Sequence, residues 1–409
     1  MPVRVTKRGA ERTPLKGDWD VVVCGASFGG LAVARELSRT PARVLVLDRY
    51  QIGERQTSAC GIPTQWLDAL GLRGALQQTF PEIVVHTPHG TTRWKLPWTF
   101  STFDYRTLCR LLWEQSGDAV FETAKVGGRD GDVVHTDRGE VRAPLIVDAL
   151  GWRRVLSRSS NVQPPEAYLS RGLEVHPNGA GDELELWLDR SYVPAGYSWS
   201  FPADSELRVG VGSFDPRYHV KDPTLRLADD LDVPPVRFQG NWIPHRIRPA
   251  AEDGVFFVGD SAGHCLPTTA EGIRTALYFG LACGRELRAV IEGRRTQAEA
   301  LDRYGEFSRA HAWKFNALLG VQWLVPRVPP RALHAFVRLV SVPPVTRWIF
   351  AKYLNIAPPS YAAASPAPRQ RTAAQGAEAA EGDHPGLVTH PSRRRSVGTG
   401  RSATSAVST

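Results

Sequence analysis

The sequence predicts an α/β fold, in which a parallel-sheet domain is split by an antiparallel sheet and followed by helices. Three observations predict it. "DWDVVVCGASFGGLAVARELSR" reads as a buried strand, a tight glycine turn and a helix, and "ARVLVLDRY" follows as a second buried strand, giving a βαβ opening. "GVFFVGDSAG" is another buried strand of this kind far downstream, with a helix after it over about 270–292. Between them, from about 165 to 250, short alternating segments with Gly/Pro turns read as antiparallel strands.

Each element follows from its local pattern. Residues 1–17 carry no apolar periodicity and read as a flexible lead-in. Residues 104–115, "DYRTLCRLLWEQ", have helical spacing, and "DVVHTDRGEVRAPLIVDALG" reads as a hairpin leading into a buried strand. Residues 297–355 are helical in composition but broken by "VPRVPP" and "VPP". From about 359 the chain is rich in Ala, Ser, Pro, Arg and Gly and poor in large apolar residues, so it is expected to be disordered.

Composition removes several function classes. A chain of 409 residues is long enough for two or three domains. Its formal charge of +8 is not organised as a basic helix with a base-reading motif, so no nucleic-acid partner is expected. A basic surface suits an anionic cofactor or an anionic membrane face. Cys24, Cys60, Cys109, Cys265 and Cys283 form no CxxC pair, which excludes a zinc site or disulfide framework and suits a reducing cytoplasm. The N-terminus has no apolar core of a secretory signal, and no run of 18 apolar residues exists. The expected location is cytoplasmic, with a peripheral membrane contact.

The first turn, "GASFGG", places Gly25, Gly29 and Gly30 near the dinucleotide fingerprint, with Ser27 in place of its second glycine. Gly25 makes the turn, Gly30 lets strand and helix pack closely, and the free N–H groups of the helix start suit a pyrophosphate. Asp48 ends the second strand where a carboxylate can bind ribose hydroxyls, with Arg49 beside it.

The downstream stretch "GVFFVGDSAGHCLPTTAEGI" resembles the second FAD fingerprint of p-hydroxybenzoate-hydroxylase-like flavoproteins, through Gly259, Asp260, Pro267, Gly272 and Ile273. The resemblance implies a Rossmann-type domain binding FAD, with Asp260 on the ribityl chain and the helix after Gly272 directed at the flavin ring. It also implies a flavin contact for Arg106 in "DYRTLCRLL". The middle motif departs from that family: "DALG" puts Leu150 where an acidic residue is expected. The electron donor is therefore NADPH or, better suited to Leu150, a small reduced ferredoxin or flavodoxin.

"GYSWSFPADSELRVGVG" is similar to the Y/F-x-W-x-F-P…G-x-G signature of geranylgeranyl reductases, through Tyr197, Trp199, Phe201, Pro202, Gly210 and Gly212. That family resemblance implies reduction of C=C bonds in a polyprenyl substrate by reduced FAD. Tyr197, Trp199 and Phe201 would wall an apolar tunnel, and Gly210 and Gly212 would let backbone approach ligand or flavin. Cys60, in "SACGIP", stands where archaeal-type members carry Cys-Gly, and Cys60 and Tyr197 are the expected proton donors. The domains expected are an FAD-binding domain over 18–160 and 250–295, a substrate domain over 161–249, helices over 296–358 and a tail over 359–409. The rival is a flavin-dependent monooxygenase or halogenase of the same fold. A halogenase needs a lysine between flavin and substrate, for which Lys95 is the candidate. A carrier without a flavin would have no use for Asp48, Asp260 and Gly272.

Overall fold

The computed structural model describes residues 13–56, 58–158 and 169–371. The chain opens with β1 (Val21–Cys24), α1 (Phe28–Leu37) and β2 (Val44–Asp48), then β3 (Gly61–Pro63), α2 (Thr64–Leu70) and the long hairpin β4 (Leu76–Thr87) and β5 (Gly90–Phe103). Next come α3 (Tyr105–Glu114), β6 (Val120–Thr123), a meander of β7 (Val126–Asp130), β8 (Val133–Thr136) and β9 (Gly139–Arg142), and β10 (Leu145–Asp148). The insertion holds β11 (Leu169–Val175), β12 (Glu185–Trp187), β13 (Gly196–Ala203), β14 (Glu206–Ser213), α4 (Lys221–Asp230) and β15 (Gln239–Pro244). The chain returns through β16 (Ala251–Glu252) and β17 (Val255–Phe257) to α5 (Ile273–Ile291), α6 (Gln297–Ala310), α7 (Ala312–Leu324), α8 (Pro330–Val340), α9 (Pro343–Leu354) and α10 (Ser360–Ala363).

Strands β17, β10, β1, β2 and β6 pair in parallel, with β16 antiparallel at the edge. β1 and β10 are buried along their whole length, as strands of a sheet covered on both faces must be. Successive connections leave β1 in opposite directions, toward β2 on one side and β10 on the other. This places a crevice at the carboxyl ends of these strands.

The second sheet has eight strands in the order β15-β11-β14-β13-β12-β4-β5-β3. Three of them, β3 to β5, come from residues 61–103, which the sequence reading placed in the FAD-binding domain. The β4–β5 hairpin joins the insertion through parallel pairing of β4 with β12. Its partners lie a hundred residues downstream, so no local pattern announces the pairing.

The ends of the described chain are also packed. Leu15 is buried, and its N–H donates to the Arg138 carbonyl (2.7 Å), so residues 13–17 add to the meander; the rest of the expected lead-in lies outside the described residues. At the other end, residues 359–371 fold back instead of forming the expected disordered tail. The Arg285 guanidinium lies over the Tyr361 ring, and Arg371 lies over Trp113 while donating to the Ala119 carbonyl (2.6 Å). A cation stacked on an aromatic ring holds a segment that has few aliphatic anchors. Residues 372–409 of that tail lie outside the described residues. The helix breaks expected at the prolines are present, with prolines opening α8 and α9.

On β13 and β14, Trp199 faces Gly210 and Tyr197 faces Gly212. A β-carbon on Gly210 would lie 2.3 Å from Trp199 Cζ2 and 2.8 Å from the Glu174 Cβ. The indole therefore lies on bare backbone of the neighbouring strand. Gly210→Ala is expected to lower stability by about 1–3 kcal/mol, seen as a fall in the thermal unfolding midpoint. Gly212→Ala, where the nearest atom is Trp199 Cζ3 at 3.4 Å, should cost less than about 1 kcal/mol. Equal losses in the two variants would contradict this packing.

Candidate active site

Four strand ends of the parallel sheet deliver residues to one cavity of about 1090 Å³: Ser27 after β1, Asp48 at the end of β2, Leu150 after β10, and Gly259 and Asp260 after β17. The cavity continues across the eight-stranded sheet and ends against α7, α8 and α9, where Leu318, Val337 and Phe350 form part of its wall. A single-ligand pocket is usually no larger than about 1,000 Å³, so the space suits a large cofactor together with an apolar chain.

The nucleotide end is built from backbone. Gly25 has φ +113°, and a β-carbon there would sit 2.2 Å from the Ala149 carbonyl oxygen. Gly30 is equally confined, 1.9 Å from the Gly25 carbonyl oxygen. Neither lines the cavity; both shape the turn that presents Ser27 and Gly29. Ser27 is the N-cap of α1 without a side-chain cap bond, so the helix start keeps donors for an anion. Asp48 accepts from the N–H groups of Ala26 (2.8 Å) and Tyr50 (3.0 Å). Burial raises its carboxyl against those bonds. Arg49 lines the cavity beside it.

Across the crevice, Gly259 and Asp260 line the wall, and Gly272 caps α5, again without a side-chain cap bond, next to Ile273. Burial pushes the Asp260 carboxyl up to about 6, opposed by Arg248. Thr268 and Ala270, both non-glycine residues with left-handed backbone, shape the loop between them. Thr268 is held by Gln322, whose Oε1 accepts its N–H at 2.8 Å. Pro267 is buried and off the wall. Arg106 departs from its expected role: it is exposed, its backbone lies against Gly53, and it does not line the cavity. Two uncapped helix starts and two carboxylates at strand ends fit the diphosphate and the hydroxyl groups of FAD.

At the other end Tyr197, Trp199 and Phe201 line the cavity from one face of β13, with ring centroids 5.8 and 6.5 Å apart. The Tyr197 hydroxyl donates to the Thr269 carbonyl (2.7 Å), and its pKa is raised by burial, then by Cys265 and Glu271. Gly210 and Gly212 are not on the wall: Trp199 occupies the space that the sequence reading gave to ligand or flavin. Cys60 is fully buried and also off the wall, although Ala59 and Gly61 line it. Its thiol donates to the Ser58 carbonyl (3.2 Å), and burial pushes its pKa up.

Leu150 lines the cavity in the middle motif. Asp148 beside it is a structural acceptor for the Ser261 hydroxyl (2.7 Å) and the N–H groups of Leu150 (3.0 Å) and Leu156 (2.8 Å). Lys95 is exposed, paired in register with Glu82 and absent from the wall. Sequence reasoning missed Glu174, a buried carboxylate on the wall that accepts from Trp199 Nε1 (3.3 Å). Its strand, "LSRGLEV", also carries Ser170 and Arg171, so the local pattern did not single out the acid. Among the described residues, no group of three His, Cys, Asp or Glu could hold a metal ion, and no helix is long and apolar enough to cross a membrane.

No family profile matches the chain. It is 24% identical over 331 residues to digeranylgeranylglycerophospholipid reductase 3 of Methanosphaera stadtmanae, covering 72% of this chain and 83% of that one. Among solved structures, a geranylgeranyl bacteriochlorophyll reductase-like protein of Thermoplasma acidophilum superposes with TM-score 0.73 at 17% identity, over 85% of this chain and 98% of that one. The myxobacterial chondrochloren halogenase CndH, described as an FAD-dependent halogenase, superposes with TM-score 0.60 at 16% identity, over 81% and 92%. The solved structures establish the fold.

The Asp260 carboxyl carries a pH signature. Below about pH 4 it is protonated both folded and unfolded; between about 4 and 6 the unfolded group ionises first, so stability is lost as pH rises through the folded value. In the protein without FAD, Asp260→Asn should gain stability relative to wild type between pH 4 and pH 7, by on the order of 2 kcal/mol. Urea unfolding at both pH values measures this. An unchanged difference between the two proteins would place Asp260 in a solvated position.

Proposed function

We propose that the chain is an FAD-dependent oxidoreductase of the geranylgeranyl reductase type, as its 24% identity to a digeranylgeranylglycerophospholipid reductase supports, and that it saturates C=C bonds in the polyprenyl chain of a lipid. The observation that carries this reading is the continuity of one cavity from the strand ends of the nucleotide half to the aromatic face of β13. FAD, when bound and reduced, supplies a hydride for an alkene carbon. The chain's own residues bind, orient and shield. Asp48 and Asp260 accept hydroxyl groups, and the starts of α1 and α5 hold anionic groups. The rings of Tyr197, Trp199 and Phe201 fix the alkene by flat apolar contact at low entropic cost. Val337 and Phe350 exclude water at the far end. Of the two proton donors expected from the sequence, Tyr197 is on the wall, whereas Cys60 would act from behind it. The electron donor is a small reduced ferredoxin or flavodoxin, or NADPH.

Helices α7, α8 and α9 give the same reading a setting. Trp313, Trp323 and Trp348 are 68%, 60% and 65% exposed. Residues 312–354 hold Lys314, Arg327, Arg331, Arg338, Arg347 and Lys352 and no Asp or Glu. Val321 and Phe336 belong both to the cavity wall and to this exposed set, so the cavity opens on that face. Exposed aromatic rings among cations with no acids suit a peripheral contact with an anionic membrane. The Trp323→Ser/Trp348→Ser variant should bind vesicles containing anionic lipid roughly tenfold more weakly than wild type, and wild-type binding should fall with salt. Equal binding of the two proteins would remove this face from the reading.

The function itself is tested by anaerobic incubation of photoreduced protein with geranylgeranyl lipids and product mass. A gain in multiples of two hydrogens is expected. In air, a gain of one oxygen or one halogen would instead establish the monooxygenase or halogenase reading, which the exposed Lys95 disfavours.

A further inference from the structure

We infer that Glu174, His176 and Glu206 form a proton line from solvent to the cavity wall, with Glu174 the catalytic acid at its inner end. The inference rests on the reductase reading above. Glu174 is 4% exposed and lies on the wall; His176, just past the end of β11, is 2% exposed. The two ring nitrogens of His176 face two different carboxylates. Nε2 is 3.0 Å from Glu174 Oε1, and Nδ1 is 3.2 Å from Glu206 Oε1. The Glu206 side chain is 23% exposed, so one end of the line reaches water and the other reaches the cavity wall.

The other charged groups around this line hold it in place. Arg208, buried, donates from Nε to Glu206 Oε1 (3.1 Å) and through its remaining nitrogens to the Ala59 carbonyl (2.8 Å), the Phe103 carbonyl (3.1 Å) and Gln77 Oε1 (2.8 Å). Arg237 Nη2 stands 3.5 Å from Glu206 Oε2. Burial favours a neutral His176 ring, but the two carboxylates outweigh it and raise its pKa. Burying two acids and an imidazole beside an apolar cavity is costly, and apolar residues of similar volume would pack at least as well. Imidazole can take a proton at one nitrogen and release one from the other, which is the property this geometry uses.

Saturating an alkene breaks the π bond and forms two C–H bonds. One hydrogen arrives as hydride with both electrons, from the reduced flavin of the proposed reaction. The other arrives as a proton from the Glu174 carboxyl, which is left as a carboxylate. His176 returns a proton to it and recovers one from water by way of Glu206, so charge balances over a turnover. Tyr197 and Cys60 direct their protons at the carbonyls of Thr269 and Ser58 instead.

Two measurements test the line. In FAD-free protein, NMR exchange of the His176 ring N–H with solvent should be fast despite its burial and at least tenfold slower in Glu206→Gln; a static ion pair predicts slow exchange, unaffected by that change. In the reduced holoenzyme, Glu174→Gln should lower product formation a hundredfold or more while folding, flavin content and photoreduction stay at wild-type levels. His176→Ala should lose activity and regain it with added imidazole, and His176→Gln serves if the alanine variant does not fold, losing activity while keeping flavin. Wild-type turnover in Glu174→Gln, or slow exchange in wild type, overturns the proposal. If wild type makes no reduced product but ring exchange is fast and depends on Glu206, the substrate reading fails and the line stands.

Discussion

Arg274 holds the two halves of the cavity to one another. Its guanidinium is fully buried and pairs in both directions with the Glu271 carboxylate, at 2.7 and 2.8 Å. Its remaining nitrogen donates to the carbonyls of Tyr353, Leu354 and Ala357, at the end of α9 and just beyond it. Glu271 in turn accepts from the Tyr353 hydroxyl, which also reaches Thr269 (2.9 Å). One ion pair thus fixes the loop before α5, the start of α5 and the C-terminal end of α9. Removing either partner would leave a buried charge unpaired, which typically costs about 3–5 kcal/mol. The cofactor-side loop and the apolar end of the cavity therefore share one support.

Much of the nucleotide half was legible in the sequence because its signals are local. The turn at Gly25, the carboxylate ending β2 and the Gly259-Asp260 pair each lie within a few residues of the strand that positions them. The aromatic alternation on β13 was legible for the same reason, since period two places Tyr197, Trp199 and Phe201 on one face whatever lies opposite. What lay opposite was not. Gly210 and Gly212 looked like a path for a ligand, but their room is filled by a ring from the adjacent strand, and only register reveals that. The β4–β5 hairpin and Glu174 were hidden by distance along the chain. Residues 359–371 look disordered by composition, yet Tyr361 and Arg371 stack against a partner that composition does not record.

The two ends of the cavity handle polarity differently. At the nucleotide end, backbone donors and strand-end carboxylates leave bonding capacity facing open space. At the far end the polar groups are mostly engaged with one another: Tyr197 with Thr269, Trp199 with Glu174, Glu174 with His176. Tyr197 and Trp199, whose polar atoms already have partners, leave most of this wall apolar in effect, with the Glu174 carboxyl as its polar point. The rival chemistries of this fold need a different polar inventory, and the exposed position of Lys95 on β5 does not supply it.

The indole resting on glycine also makes volume exchangeable between strands. The floor beneath Trp199 consists of Gly210 and Gly212 on β14 and Gly172 on β11, and Gly172 is paired with Gly212. A smaller residue at 199 with side chains restored at 210 and 212 would refill the same space from the other strand. The backbone path would stay the same while the cavity wall moved. These four positions therefore behave as one unit of design, in which ring and floor change together. Alteration of either alone leaves a clash or a void, but a matched exchange resets the width of the channel.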